Sequence, residues 1–158
     1  HWRPIKAAAG PALALLLMLL PPVALSGWLV GQLLDDPGGS NPLLELVLTS
    51  GDPRALACFA VTAMVLAPLF EETLFRGILL PVLGQRLGGT AAVMISAAVF
   101  ALAHLSLGEL MPLFVLGVGL GLLRWRSGRL ASSVIAHALW NGLTFANLLL
   151  LADGAGGV

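Results

Sequence analysis

The chain has 158 residues, 58% of them hydrophobic and only 10% charged, with a mean hydropathy of +0.97. A soluble domain carries roughly 25% charged residues, so there are too few charges here to cover a water-soluble globule, and an integral membrane protein is implied. A formal net charge of zero excludes the basic footprint of a nucleic-acid partner, and the lone cysteine, Cys58, can form no internal disulfide and marks no metal site by itself.

A membrane-spanning helix needs about 20 mostly apolar residues. Five segments qualify in chain order, so the expected fold is all-α, a polytopic transmembrane bundle of about five helices. The first, Ala7–Leu34, is expected to be interrupted by Pro21 and Pro22. Its Arg3, Lys6 and Ala24-Leu25-Ser26 also give it the look of a secretion signal, but the apolar run continues through Trp28 to Leu34. The connection Asp35–Arg54 carries Asp-Pro-Gly-Gly and Asn-Pro turn signals, with Leu43–Leu48 as a candidate interfacial helix. The remaining spans are Ala55–Leu80, Thr90–Leu107, a short Leu110–Leu123 and Leu130–Leu151. This divides the chain into an N-terminal helix and loop (1–54), a core (55–152) and a tail (153–158). The chain opens on His1 rather than Met, and further membrane segments upstream are expected.

Charge placement orients these spans, because cytoplasmic loops are rich in Lys and Arg. Arg3 and Lys6, then Arg76 and Arg86, then Arg124, Arg126 and Arg129 fall on one side. Asp35, Asp36, Glu45 and Asp52, then Glu109, then Asp153 fall on the other. The expected topology is N-terminus cytoplasmic and C-terminus extracytoplasmic, with any active site in the cytoplasmic half. Only Arg54 breaks the pattern among the bases, and only Glu71 and Glu72 among the acids.

Ionisable groups inside membrane helices cost free energy and mark function by default. Glu72 and Arg76 are four residues apart on a helix and can pair. Glu71 lies about 100° round the helix without such a partner, a desolvated carboxylate suited to general-base work. The plain competitor is a snorkelling carboxylate cluster at a helix end. On the third span Phe100 and His104 share a face, and on the fifth His137 and Asn141 do. Each could simply hydrogen-bond a neighbouring helix. Together they are the side chains needed to activate water and stabilise an oxyanion. Their depths are not level: His137 lies about 12 Å in from Arg129 and His104 about 21 Å in from Thr90, which calls for tilt or an extended third helix. Gly117, Gly119 and Gly121 suit close helix packing, or less readily homodimerisation, on the fourth span. Trp28, Trp125 and Trp140 suit interface anchoring or packing.

The order Glu71-Glu72-xxx-Arg76, Phe100-xxx-His104, His137-xxx-Asn141 on successive helices resembles the three motifs of the CAAX-protease and bacteriocin-processing family. That family includes the type II CAAX prenyl endopeptidase and lysostaphin-resistance-protein-A-like proteins. The resemblance covers about Ala55 to Leu151. It implies an endopeptidase acting inside the bilayer on a peptide or protein substrate. Glu71, helped by His104, would activate water. His137 and Asn141 would stabilise the oxyanion, and Glu72 with Arg76 would hold the geometry. No cofactor is favoured. A zinc-dependent version would use Glu71, His104 and His137 as ligands, although no His-Glu-x-x-His motif occurs. A non-catalytic membrane scaffold and a small transporter or proton relay are the competing functions, the latter disfavoured by the lack of a visible repeat.

Overall fold

In a computed structural model, residues 6–34, 49 and 51–155 are described. They form five helices, which we number α1 (Lys6–Leu33), α2 (Pro53–Leu87), α3 (Gly89–Leu102), α4 (Leu107–Ser127) and α5 (Leu130–Ala155). No strand occurs among the described residues. Four of the helices are long and apolar enough to cross a membrane; α3, with 14 residues, is a shorter apolar helix. The candidate interfacial helix at Leu43–Leu48 lies outside the described residues.

The helix boundaries differ from the expected ones in three places. First, α1 runs unbroken through Pro11, Pro21 and Pro22. Pro21 and Pro22 face outwards, and a spanning helix tolerates proline because neighbouring groups satisfy the freed backbone. Second, α3 stops at Leu102, so His104 sits in the following turn rather than on the helix. Third, α4 is not short. It begins at Leu107 behind an N-cap, where the Ser106 hydroxyl accepts from the Glu109 backbone N–H at 3.4 Å. Glu109 in that first turn also complements the helix dipole.

Polar and apolar groups are arranged inside out relative to a soluble protein. Leu17, Met18, Trp28, Phe70 and Leu150 are exposed, while Glu72, Arg76, Ser96, Ser132, Ser133 and His137 are buried. Lipid-facing apolar surface with polar groups inside is the arrangement a bilayer favours. One core cluster joins α1, α4 and α5 through Ala12, Leu19, Val23, Leu116, Leu120 and Ala136. A second joins α2 and α3 through Leu80, Ala92 and Val93, with Val118 and Leu122 of α4 against it.

The glycines of α4 admit its neighbours. A Cβ on Gly117 would stand 3.1 Å from Ala97, one on Gly121 3.1 Å from Val93, and one on Gly119 2.6 Å from Leu19. Gly117 and Gly121 therefore seat α3, and Gly119 seats α1. Gly84 and Gly89 do the same for Trp125, whose ring would lie 2.6 Å and 2.5 Å from a Cβ at those positions.

Helices α2 and α5 pack antiparallel: Phe59 meets Phe145 with ring centroids 5.9 Å apart, and Leu130 stands 3.4 Å from a Cβ on Gly77. Helix α5 thus starts beside Gly77, about 15 Å short of the end of α2. From that level Glu72 is about 7 Å further along α2 and His137 about 10 Å along α5. This offset start is what brings His137 level with Glu72, where the two bond.

All described basic residues other than Arg54 and Arg76 gather at one end. Arg86 ends α2, Arg124 and Arg126 end α4, and Arg129 opens α5. The Arg129 guanidinium donates to the Ala7 carbonyl at 2.8 Å, which brings the start of α1 to the same end. Asp52 and Glu109 lie at the opposite end, at the starts of α2 and α4.

Replacing Gly119 by leucine should lower thermal stability in detergent by about 1–3 kcal/mol, the usual cost of overpacking. A melting temperature equal to wild type would show that α1 does not pack on α4 in this way.

Candidate active site

Helix α2 is not uniform. It widens to π geometry at Thr62–Leu66 and again at Thr73–Leu79. Each widened stretch ends two residues before a proline, Pro68 and Pro81. Proline supplies no N–H and clashes with the carbonyl four residues back, so a local widening relieves the ladder. The Ala67 N–H bonds to Thr62 O, which strips Ala63 O of its usual partner, and the next candidate along the chain is Pro68, without an N–H. The Asn141 side-chain amide fills the gap, donating Nδ2–H to Ala63 O at 2.8 Å. One of the two Asn141 amide hydrogens is thereby committed to structure.

The two widened stretches bracket Glu71 and Glu72. Glu72 and Arg76 are both fully buried and paired at 2.9 Å (Oε1 to Nη1). The Arg76 Nη2 donates to the Gly117 carbonyl of α4 at 3.0 Å. Its guanidinium also lies 4.4 Å from the Phe100 ring centroid of α3. Lack of a side chain at Gly117 is what lets Phe100 and Ala97 approach this carbonyl, since a Cβ there would meet Phe100 at 3.2 Å.

The same Glu72 Oε1 accepts from His137 Nδ1 of α5 at 3.1 Å. His137 is 3% exposed, and its Nε2 stands 3.7 Å from Glu71 Oε2. Because Nδ1 must carry a hydrogen to meet the Glu72 carboxylate, Nε2 holds a lone pair in the neutral ring and an N–H in the imidazolium. Glu72 thus fixes both the tautomer and the direction of His137. Glu71 is the more accessible carboxylate, with its side chain 23% exposed. Two carboxylates facing one guanidinium and one imidazole form a cluster that is neutral overall when His137 is protonated.

His104 lies apart from this cluster. Its Nδ1 donates to the Phe100 carbonyl at 2.8 Å, and the imidazole is exposed. Its ring meets the Phe100 ring at 4.8 Å, and Phe100 in turn meets His137 at 5.7 Å. Among the described residues, His104 makes no hydrogen bond or ion pair with either glutamate or with His137. The next residue, Leu105, has φ +55°, a left-handed conformation that costs an L-residue of this size roughly 1–2 kcal/mol. Strained backbone of this kind clusters at functional sites.

The expected i,i+4 pairing of Glu72 with Arg76 is present. Glu71 and His137 meet between α2 and α5, and Asn141, one turn further along α5, is engaged by the α2 backbone at Ala63. The sequence reading missed the Glu72–His137 bond and the Gly117 carbonyl, since neither contact is local in the chain. Pro68 and Pro81 were the signal for the widened helix. No three His, Cys, Asp or Glu side chains converge as a metal site among the described residues. Of the expected zinc set Glu71, His104 and His137, the Phe100 ring packs against both imidazoles.

Among curated proteins, an Escherichia coli protein described as an uncharacterized 24.3 kDa protein is 39% identical over 82 residues, which is 49% of this chain and 38% of that relative. The chain therefore spans less than two thirds of the relative's length. No solved structure matches. A family model described as type II CAAX prenyl endopeptidase Rce1-like matches residues 53–143. The match begins with α2, takes in α3 and α4, and ends within α5, so it includes every residue of the cluster. With more than half of its length so matched, the chain belongs to the Rce1-like type II CAAX prenyl endopeptidase family.

Proposed function

We propose that this chain carries the catalytic core of an intramembrane endopeptidase that uses Glu71 to activate water, without a metal. The observation that carries this reading is the ordered set Glu71, His137, Glu72, Arg76, in which a partly accessible carboxylate faces an imidazole that is itself aimed by a buried ion pair. Glu71 takes a proton from water as the water oxygen attacks the peptide carbonyl carbon. The oxyanion that forms is met by Nε2–H of the His137 imidazolium, whose charge Glu72 offsets, and by the second amide hydrogen of Asn141. Collapse of the tetrahedral intermediate breaks the C–N bond, and the proton held by Glu71 passes to the departing amine. His104, one aromatic ring away, assists by orienting the water from Nε2, because its Nδ1–H is spent on Phe100 O. The apolar walls strengthen every one of these interactions by excluding bulk water.

Glu71→Gln should lower cleavage of a prenylated CAAX peptide in proteoliposomes by about 10²–10⁴-fold while leaving the melting temperature close to wild type. Cleavage should also survive a chelator. Retained activity in Glu71→Gln would sink the mechanism. Loss with chelator and recovery with zinc would replace it by a metal-dependent one, and no cleavage by the wild type of this or any membrane-associated peptide would favour a scaffold.

Asn141→Ala removes an oxyanion donor and also leaves Ala63 O unpaired. The expected loss is about 10²–10³-fold in kcat together with about 1–3 kcal/mol of stability. Glu72→Ala strands a buried guanidinium and should cost about 3–5 kcal/mol, read as a large fall in melting temperature. A Glu72→Ala variant that melts like wild type would show that the ion pair is not buried.

The basic end of the bundle faces the cytoplasm in this proposal, following the bias of Lys and Arg. With Cys58→Ser as background, Ser127→Cys in the α4–α5 connection should react with an impermeant maleimide only from the cytoplasmic face. Labelling from the outer face would reverse the orientation.

A further inference from the structure

The arginines of this protein are not equally provided for. Arg76 is paired with Glu72 and the Gly117 carbonyl, and Arg129 with the Ala7 carbonyl. Arg76 Nε is also unpaired, but its Nη1 and Nη2 are both engaged, whereas the Arg124 guanidinium makes no hydrogen bond among the described residues. The Arg124 Nε is buried. Arg124 lies in the last turn of α4 and borders a recess lined by Leu80, Pro81, Arg124 and Trp125. Leaving such a donor unsatisfied costs free energy, more so when it belongs to a charged group, so an acceptor from outside the chain is the natural complement.

The surroundings define that acceptor. Arg86, Arg124, Arg126 and Arg129 share this end of the bundle, and the acids whose side chains are described lie elsewhere: Asp52 and Glu109 at the opposite end, Glu71 and Glu72 in the interior cluster. Among the described side chains the positive charge therefore has no carboxylate to answer it. The recess walls are otherwise apolar. Leu80 and Pro81 contribute hydrocarbon, and the Trp125 ring lies across the backbone at Gly84 and Gly89. Trp125 is 46% exposed, as suits an indole at the headgroup level. A free anion has no use for such walls, whereas a lipid places a phosphate beside its own glycerol and acyl carbons. Basic recesses between membrane helices hold anionic headgroups on this principle.

We propose that the recess between α2 and α4 binds the phosphate of an anionic phospholipid, with the Arg124 guanidinium as its donor and Leu80, Pro81 and Trp125 against the glycerol and upper acyl chain. The site is separate from the glutamate–histidine cluster and does not depend on the protease reading.

The test is a thermal-shift and native mass-spectrometry titration of the detergent-solubilised protein. The probes are dioleoylphosphatidylglycerol, dioleoylphosphatidylcholine and sodium phosphate. Phosphatidylglycerol should bind the wild type roughly fivefold or more tightly than phosphatidylcholine and raise its melting temperature, the preference expected of one arginine near an anionic headgroup. Arg124→Gln should erase that preference, Arg124→Lys should keep part of it, and Arg126→Gln, which removes an exposed charge outside the recess, should change it least. Equal binding of the two lipids by the wild type would overturn the proposal even if Arg124→Gln failed to fold. Equal losses from Arg124→Gln and Arg126→Gln would reduce it to diffuse attraction, and equal stabilisation by sodium phosphate would reassign the recess to a free anion.

Discussion

One carboxylate oxygen, Glu72 Oε1, holds this bundle to a single arrangement. It receives hydrogen bonds from Arg76 within α2 and from His137 of α5. Arg76 carries the connection on to the Gly117 carbonyl of α4 and the Phe100 ring of α3. Four of the five helices therefore meet at a buried ion pair. Two charges can be taken out of water only if each is matched and hydrogen-bonded, and removing one partner leaves the other uncompensated. Apolar helices in lipid gain nothing from hiding hydrocarbon from each other, so directed polar contacts of this kind select which helix faces meet.

Backbone irregularity serves the same region. The two widened turns of α2 sit on either side of the carboxylates, and each is tied to a following proline. A regular helix would pair every carbonyl internally and leave Asn141 nothing to bind. Here Ala63 O is released to accept from Asn141, while Phe75 O, already bonded to the Leu80 N–H of its own helix, takes a second bond from Ser96 of α3 at 3.2 Å. Unwound or widened backbone at membrane depth persists only where protein groups satisfy it, and Asn141 of α5 does so at Ala63. Glu71 is consequently presented by a helix anchored above and below it.

Small residues set the distances at which this works. Gly117 permits Phe100 to lie over Arg76 while its own carbonyl takes the guanidinium. Phe100 then stands against both His104 and His137, which keeps the two imidazoles as neighbours without letting them merge into one polar cluster. At the basic end, Gly84 and Gly89 give Trp125 its seat. The interior site and the arginine-rich end are thus built by the same device, a ring or guanidinium pressed onto backbone that has no Cβ.

Local regularities made much of this legible from the chain alone. A shortage of charge and long apolar runs determined a membrane helical bundle, because no other structure satisfies the backbone in lipid as simply. The four-residue spacing of Glu72 and Arg76 determined their pairing, and the glycines of α4 announced close packing. What only the tertiary structure decided is whatever joins residues far apart in sequence: that Glu72 also aims His137, that Asn141 is held by Ala63, that Arg76 reaches Gly117. It also decided that His104 follows α3 rather than belonging to it. The start of α4 at Leu107, behind the Ser106 cap, was likewise decided by the structure, since the sequence reading carried the third span on to Leu107. Apolar periodicity identifies helices; it carries no information on which carbonyl a widened turn will release or which helix will come to claim it.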